Sequence, residues 1–199
     1  MKIKRGVNIL LGPNGSGKTT LLRVIMGDPR YEVQGRILFE GMNITDLKPY
    51  ERYRLGISTM VQHPPRLPIK FRDFLELLGT SEYDICPRIM ELLDRNLFEN
   101  FSGGEKKRAE FLISLSGNPK LLLLDEPDSG VDVDTVKIFG KVIRKLSRKK
   151  VFLIVTHSGR IIREIGNTEK DFVMKDGEIV KRDGASLINK ILERGYEWI

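Results

Sequence analysis

Residues Gly12-Pro13-Asn14-Gly15-Ser16-Gly17-Lys18-Thr19 satisfy the pattern G-x-x-x-x-G-K-[ST] at every position. The chemistry this spacing permits is phosphate binding. Glycines let the backbone curl so that N–H groups point inward at an anion. A helix beginning near Gly17 adds its positive N-terminal end. Lys18 reaches the β- and γ-phosphates, and the Thr19 hydroxyl takes a magnesium coordination position. Thr20, next along, belongs to the same binding stretch.

A second candidate is the acid pair in "LLLLDE". Asp125 and Glu126 fall at the carboxyl end of an apolar strand, the edge where ligands of open α/β sheets gather. Alone the pair reads as a polar strand end closed by Pro127. With a phosphate loop upstream, Asp125 reads as the magnesium acid, acting through water, and Glu126 as the general base on an attacking water.

The third is "FSGGEKKRAE", residues 101–110. Ser102 and Glu105 have the S-x-x-E spacing of a capping box. That leaves Gly103 and Gly104 unexplained, because glycine weakens the first turn of a helix. Glycine fits there when an anion must approach the backbone closely. The chain's own phosphates already have a loop, so this second anion site reads as serving a nucleotide bound to another copy.

These residues need elements to position them. The run 7–11, "VNILL", predicts a buried strand before the phosphate loop, and "TTLLRVIMG" a helix stopping at Gly27. "GRILFEG" (35–41) reads as a short strand, and 55–65 as a strand ending at Gln62 before two prolines. Residues 70–98 predict two helices, "FRDFLELLG" and "PRIMELLDRNL". A further helix spans Ser102 to about Ser116, then a strand 120–128, a helix 133–147 and a strand 150–157. "DFVMKDGEIVKR" predicts a hairpin turning at Asp176-Gly177, and the tail "SLINKILERGYEWI" a helix. Apolar strands alternating with helices imply a parallel sheet covered on both faces.

Composition narrows the class. Hydrophobic residues make up 40% and charged residues 31%, enough for a sizeable core and against disorder. The net charge of +7 is scattered, with no dense tract for nucleic acid. The one cysteine, Cys86, excludes an internal disulfide and a cysteine-rich metal site and fits a reducing cytoplasm. No run approaches the roughly 20 apolar residues of a membrane span, so a membrane role needs another chain.

The order and spacing of the phosphate loop, "FSGGEKKR", "LLLLDEPDSGVD" and "VTH" resemble the ATP-binding cassette (ABC) ATPases. The resemblance implies an α/β P-loop NTPase fold with a mostly parallel central sheet, a small antiparallel β part and a short helical subdomain at about 66–116. It implies one domain over 1–199, binding ATP and Mg²⁺. Two copies then meet head to tail, and Ser102, Gly103, Gly104 and Glu105 of one reach the γ-phosphate held by the other. Gln62 takes the role of the glutamine that senses Mg²⁺ and the water, and Ser129 to Asp132 face the interface. A lone histidine at a strand end is ordinarily structural, but the motif order makes His157 a γ-phosphate contact. "YEVQGRILFEG", Glu105-Lys106-Lys107-Arg108, "DSGVDVD" and the tail "ERGYEWI" resemble, more narrowly, the SufC group. Those are soluble ATPases that drive a SufB/SufD scaffold in iron–sulfur cluster assembly. This implies a cytoplasmic chain with a scaffold protein as partner.

Two departures stand out. The sequence before Gly12 holds neither the further strands nor the adenine-stacking aromatic usual in that family. The segment between Gln62 and Ser102, where a partner docks, is short. Two alternatives compete: the nucleotide-binding subunit of a membrane ABC transporter, and a nucleotide-gated binding module that barely hydrolyses. Glu126 and His157 speak against the last.

Overall fold

The structure, a computed structural model, describes residues 1–60, 66–80, 89–157, 159–183, 190–191 and 194–196. The central sheet has the order β4-β5-β6-β1-β7-β8. Its strands are β1 (Gly6–Leu11), β4 (Ile57–Thr59), β5 (Leu121–Asp125), β6 (Val151–Val155), β7 (Lys170–Lys175) and β8 (Glu178–Asp183). All neighbours pair in parallel except β7 and β8, which form the hairpin expected at Asp176-Gly177. A separate antiparallel pair joins β2 (Leu38–Phe39) and β3 (Met42–Asn43). The expected strand over 35–41 is thus only two residues long, and its partner β3 went unread.

The runs are apolar apart from Asn8 of β1, whose amide donates to Phe152 O, because both faces of the sheet are covered. Val7, Ile9 and Leu11 of β1, Leu122 and Leu124 of β5, and Phe152 and Ile154 of β6 point into one core. That core is closed by α3 (Phe71–Leu77), α4 (Gly103–Leu115), α5 (Val133–Leu146) and α6 (Gly159–Ile165). The alternate residues Leu10, Leu121, Leu123, Leu153 and Val155 point into the other. There they meet Leu22 and Ile25 of α1 (Lys18–Met26) and the β2–β3 segment. A period-2 alternation in a strand buried on both sides leaves no polar stripe to see in sequence.

Two helices went unread. One is α6. The other is α2 (Pro49–Arg54), which starts with Pro at its first turn and with the Glu51 carboxylate accepting from the Lys48 N–H at 2.7 Å. The expected helix "PRIMELLDRNL" is corrected. Among its described residues only Met90–Leu92 form a single 3₁₀ turn. The backbone groups that would continue it are taken by residues 69–72, at the entry and first turn of α3. Phe71 N–H donates to Arg95 O, Arg72 N–H to Leu93 O, and Leu97 N–H to Ile69 O. Tertiary pairing outcompetes the helical ladder there. The expected strand end and glutamine at 61–65, and most of the expected C-terminal helix, lie outside the described residues. Among the described residues, no helix is long and apolar enough to cross a membrane.

One buried charge fastens the phosphate-loop helix to the small β part. Arg52 is 1% exposed. Its guanidinium donates to Val24 O at 2.8 Å and Ile25 O at 2.9 Å, both in the last turn of α1. It also donates to Leu47 O at 2.8 Å and Thr45 O at 2.6 Å. The last carbonyls of a helix have no intrahelical donor, and its C-terminal end attracts a cation. Arg52→Met should therefore cost about 3–5 kcal/mol in urea unfolding, since several buried carbonyls lose their donor together. A loss below about 1 kcal/mol would show that water replaces the guanidinium.

Candidate nucleotide site

The strand order decides which residues meet. β6 lies between β1 and β5, so the carboxyl ends of three adjacent strands present the phosphate loop, Asp125-Glu126 and His157 side by side. The loop leaves β1 at Gly12 and enters α1 through Gly17, whose φ of 98° lies in the left-handed region open to glycine. No side chain caps α1, and no acid sits in its first turn. Its N–H groups and positive end are thus left for a ligand. Pro13 O accepts from Ser16 N–H at 3.2 Å, closing a turn over Asn14 and Gly15. From the hairpin, Gly177 N–H donates to Ser16 O at 3.1 Å, bracing the loop from the β7–β8 side.

Lys18 is 7% exposed. Its ammonium donates to Gly12 O at 2.9 Å, Pro13 O at 2.8 Å and Ser16 Oγ at 3.4 Å. Burial pulls its pKa down, opposed by the charges of Glu126 and Asp125. Asp125 is 5% exposed and accepts from the Thr19 hydroxyl at 2.8 Å. Burial pushes its carboxyl above the ordinary aspartate range. The Thr19 hydrogen bond works against that shift, and the nearby Glu126 charge adds to it. A hydroxyl and a carboxylate converging in this way are the hard oxygen donors Mg²⁺ takes, with phosphates and water completing its shell.

Glu126 adopts φ 47°, a left-handed backbone that a residue with a Cβ rarely takes. Its N–H is held by Val155 O at 2.8 Å. This kink comes directly after the last strand residue, and the Glu126 carboxylate stands 3.0 Å from His157 Nδ1. Such strain persists only where the surroundings enforce it, and it concentrates at functional sites. Here the enforcement comes from Asp128, 4% exposed, which accepts from the Thr156 hydroxyl at 3.1 Å and from Ile161 N–H at 3.3 Å. Arg160 adds a bond to Val131 O at 3.1 Å. Asp128, Thr156 and Arg160 brace the loop after the acids, and sequence reasoning gave them no role. An aspartate in a loop reads as solvated until its burial is known.

The α4 segment lies apart from this group. Among the described residues, no hydrogen bond or ion pair joins residues 102–105 to the phosphate loop. Ser102 Oγ accepts from Glu105 N–H at 3.3 Å, and Ser102 N–H donates to the Glu105 carboxylate at 2.6 Å, so the capping box is formed. Arg95 sits 3.3 Å from the other Glu105 oxygen. The first-turn Gly103 is exposed, and a Cβ built on it meets nothing within 4 Å. Behind the terminus, buried Arg108 donates to the Thr135 hydroxyl at 3.1 Å. Thr135 N–H in turn donates to Asp132, the cap of α5, at 2.7 Å. Arg108 thus ties α4 to residues 129–132, a link absent from the sequence reading. Gln62 lies outside the described residues.

Fold and site together define a P-loop ATPase cassette. A family model described as ABC transporter matches residues 1–129. The chain is 37% identical over 216 residues to a probable ATP-dependent transporter, ycf16, of Cyanidium caldarium, covering 96% of this chain and 85% of that one. It is 38% identical over 238 residues to a probable ABC transporter ATP-binding protein of Streptococcus pyogenes serotype M3, covering 100% and 89%. A nucleotide-free ATP-binding cassette from an ABC transporter superposes with TM-score 0.77 at 28% identity, over 97% of this chain and 87% of that one. The dimeric post-hydrolysis cassette MJ0796, bound to ADP and Pi, superposes with TM-score 0.76 at 23% identity, a likeness of fold. The chain belongs to the ABC transporter family, as an ATP-binding cassette. It is accordingly an ATPase that uses ATP and Mg²⁺.

In the middle of α4 sits Glu110, 8% exposed. Burial pushes its carboxyl from the ordinary 4.5 to about 7, against the pull of Lys107 and Lys106. The folded chain therefore holds a proton that the unfolded chain releases, and stability falls as pH rises from 4.5 to about 7. Glu110→Gln should flatten that slope and raise the urea midpoint at pH 8. An unchanged midpoint at pH 8 would mean that the carboxylate is accommodated at no cost.

Proposed function

We propose that this chain hydrolyses ATP between two copies arranged head to tail, and that the cycle drives a conformational change in a SufB/SufD-like iron–sulfur scaffold. The observation that carries the dimer is Gly103. It has neither a positive φ nor a crowding neighbour, so nothing inside the chain asks for glycine there. An exposed helix terminus with its first side chain removed suits a phosphate arriving from outside.

Within the site each residue has a part. The N–H groups of residues 14–20 and the Lys18 ammonium hold the β- and γ-phosphates. On binding, Lys18 exchanges its loop oxygens for phosphate oxygens. Thr19 and Asp125 hold Mg²⁺, which offsets the charge of the phosphate chain. Glu126 takes the proton of the attacking water, and His157 positions Glu126 through their 3.0 Å contact. Ser102, Gly103 and Gly104 of the second copy complete the site, and Gln62 contacts Mg²⁺ and the water. Glu105 shapes the terminus through its capping box.

The scaffold reading rests on Glu105-Lys106-Lys107-Arg108 and the tail "ERGYEWI", with a helical subdomain at about 66–116 as the docking region of a single cytoplasmic domain. A second reading is the detachable cassette of a membrane transporter, since the relatives are named a probable ATP-dependent transporter and a probable ABC transporter ATP-binding protein.

Glu126→Gln should lower phosphate release by about a hundredfold or more while leaving an ATP-induced dimer in light scattering. Release at the wild-type rate overturns the assignment of the base. Gly103→Asp should abolish that dimer while leaving ATP binding within about twofold, because its carboxylate repels the incoming phosphate. A dimer formed by this variant would count against the head-to-tail arrangement. The partner is tested by pull-down of tagged Glu126→Gln chain from its native host with ATP and Mg²⁺. A soluble protein carrying or accepting an iron–sulfur cluster supports the scaffold reading, and a polytopic membrane protein supports the second.

A further inference from the structure

The last described residue of the chain touches the first residue of the phosphate loop. Gly12 N–H donates to the Tyr196 hydroxyl at 3.1 Å. Gly12 is confined on its other sides as well. Its carbonyl accepts from the Lys18 ammonium at 2.9 Å. A Cβ on it would clash with the Met174 carbonyl oxygen. One residue thus links the tail, the phosphate-binding lysine and the β7–β8 hairpin.

The tail is placed to hold this contact. Ile191 is 5% exposed in the larger core. Gly195 N–H donates back to Ile191 O at 2.9 Å, and Gly195 turns with φ 70°. The half-buried Tyr196 ring follows and packs against the same core. Packing alone does not ask for a hydroxyl. A phenylalanine would fill the space, and a hydroxyl withdrawn from water is costly without a partner. Burial also pushes the phenol pKa up, so the group stays a neutral hydroxyl.

We propose that Tyr196 is a positioning residue of the nucleotide site: by holding the Gly12 N–H it fixes the entry of the phosphate loop and keeps Lys18 and the loop N–H groups aimed at the phosphates. It touches no reacting atom and acts through Gly12. The C-terminal segment is then a functional part of the ATP site and not merely a cover for the core. This deepens the family's established ATP binding and is independent of the dimer and scaffold readings.

The test is Tyr196→Phe in the full chain, which deletes the hydroxyl and keeps the ring. A fluorescent N-methylanthraniloyl ADP probe reports affinity without dimer or partner. Steady-state kinetics separate KM from kcat, and a thermal melt reports stability. We expect probe Kd and ATP KM to rise about three- to tenfold, the worth of one hydrogen bond, with kcat within about twofold. The melting midpoint should stay within about 2 °C. Probe affinity within about twofold of wild type overturns the proposal. So does a loss of affinity that appears only together with a lowered melting midpoint, since the hydroxyl would then serve stability alone.

Discussion

A lysine ammonium withdrawn from water has to be surrounded by oxygens, and the architecture around Lys18 answers that demand. The loop bends until two carbonyls and a hydroxyl reach the ammonium. Two carboxylates stand close enough to oppose the fall in its pKa. Those carboxylates stand at the carboxyl end of β5, one strand away from β1 across β6. The sheet order is therefore part of the site's electrostatics. Phosphates brought to this loop meet a cation already withdrawn from water and an uncapped helix terminus.

The same edge stores strain. Glu126 leaves β5 in a left-handed conformation, and the loop after it is held by a buried aspartate, a threonine hydroxyl and an arginine. A relaxed turn would send the Glu126 carboxylate elsewhere. Bracing the loop through Asp128 also binds it to α6, and Arg108 with Thr135 binds α5 to α4. The α4 helix is thus tied to α5, and the acid loop to α6.

Much was legible without coordinates. The phosphate loop, the acid pair and the capping box are local patterns whose chemistry depends on neighbours along the chain. The strands β1, β5 and β6 were readable because burial on both faces makes them uniformly apolar. The helix expected at 87–97 was misread for the opposite reason. Its spacing is helical, yet the backbone of 93–97 pairs with 69–72. Local propensity yielded there to tertiary hydrogen bonds. The two-residue strands β2 and β3 are too short to show an alternation.

By itself, the sequence determined the chemical kit: a glycine-rich loop with the pattern of a phosphate site, the carboxylates at a strand end, and a helix that begins with glycines. Only the tertiary structure decided how that kit is aimed. The φ of Glu126, the burial of Asp128, the four-carbonyl grip of Arg52 and the reach of Tyr196 to Gly12 each join residues far apart in the chain or depend on being out of water. Periodicity and spacing report neighbours along the chain. Desolvation and convergence arise when distant segments meet, and no local pattern encodes them.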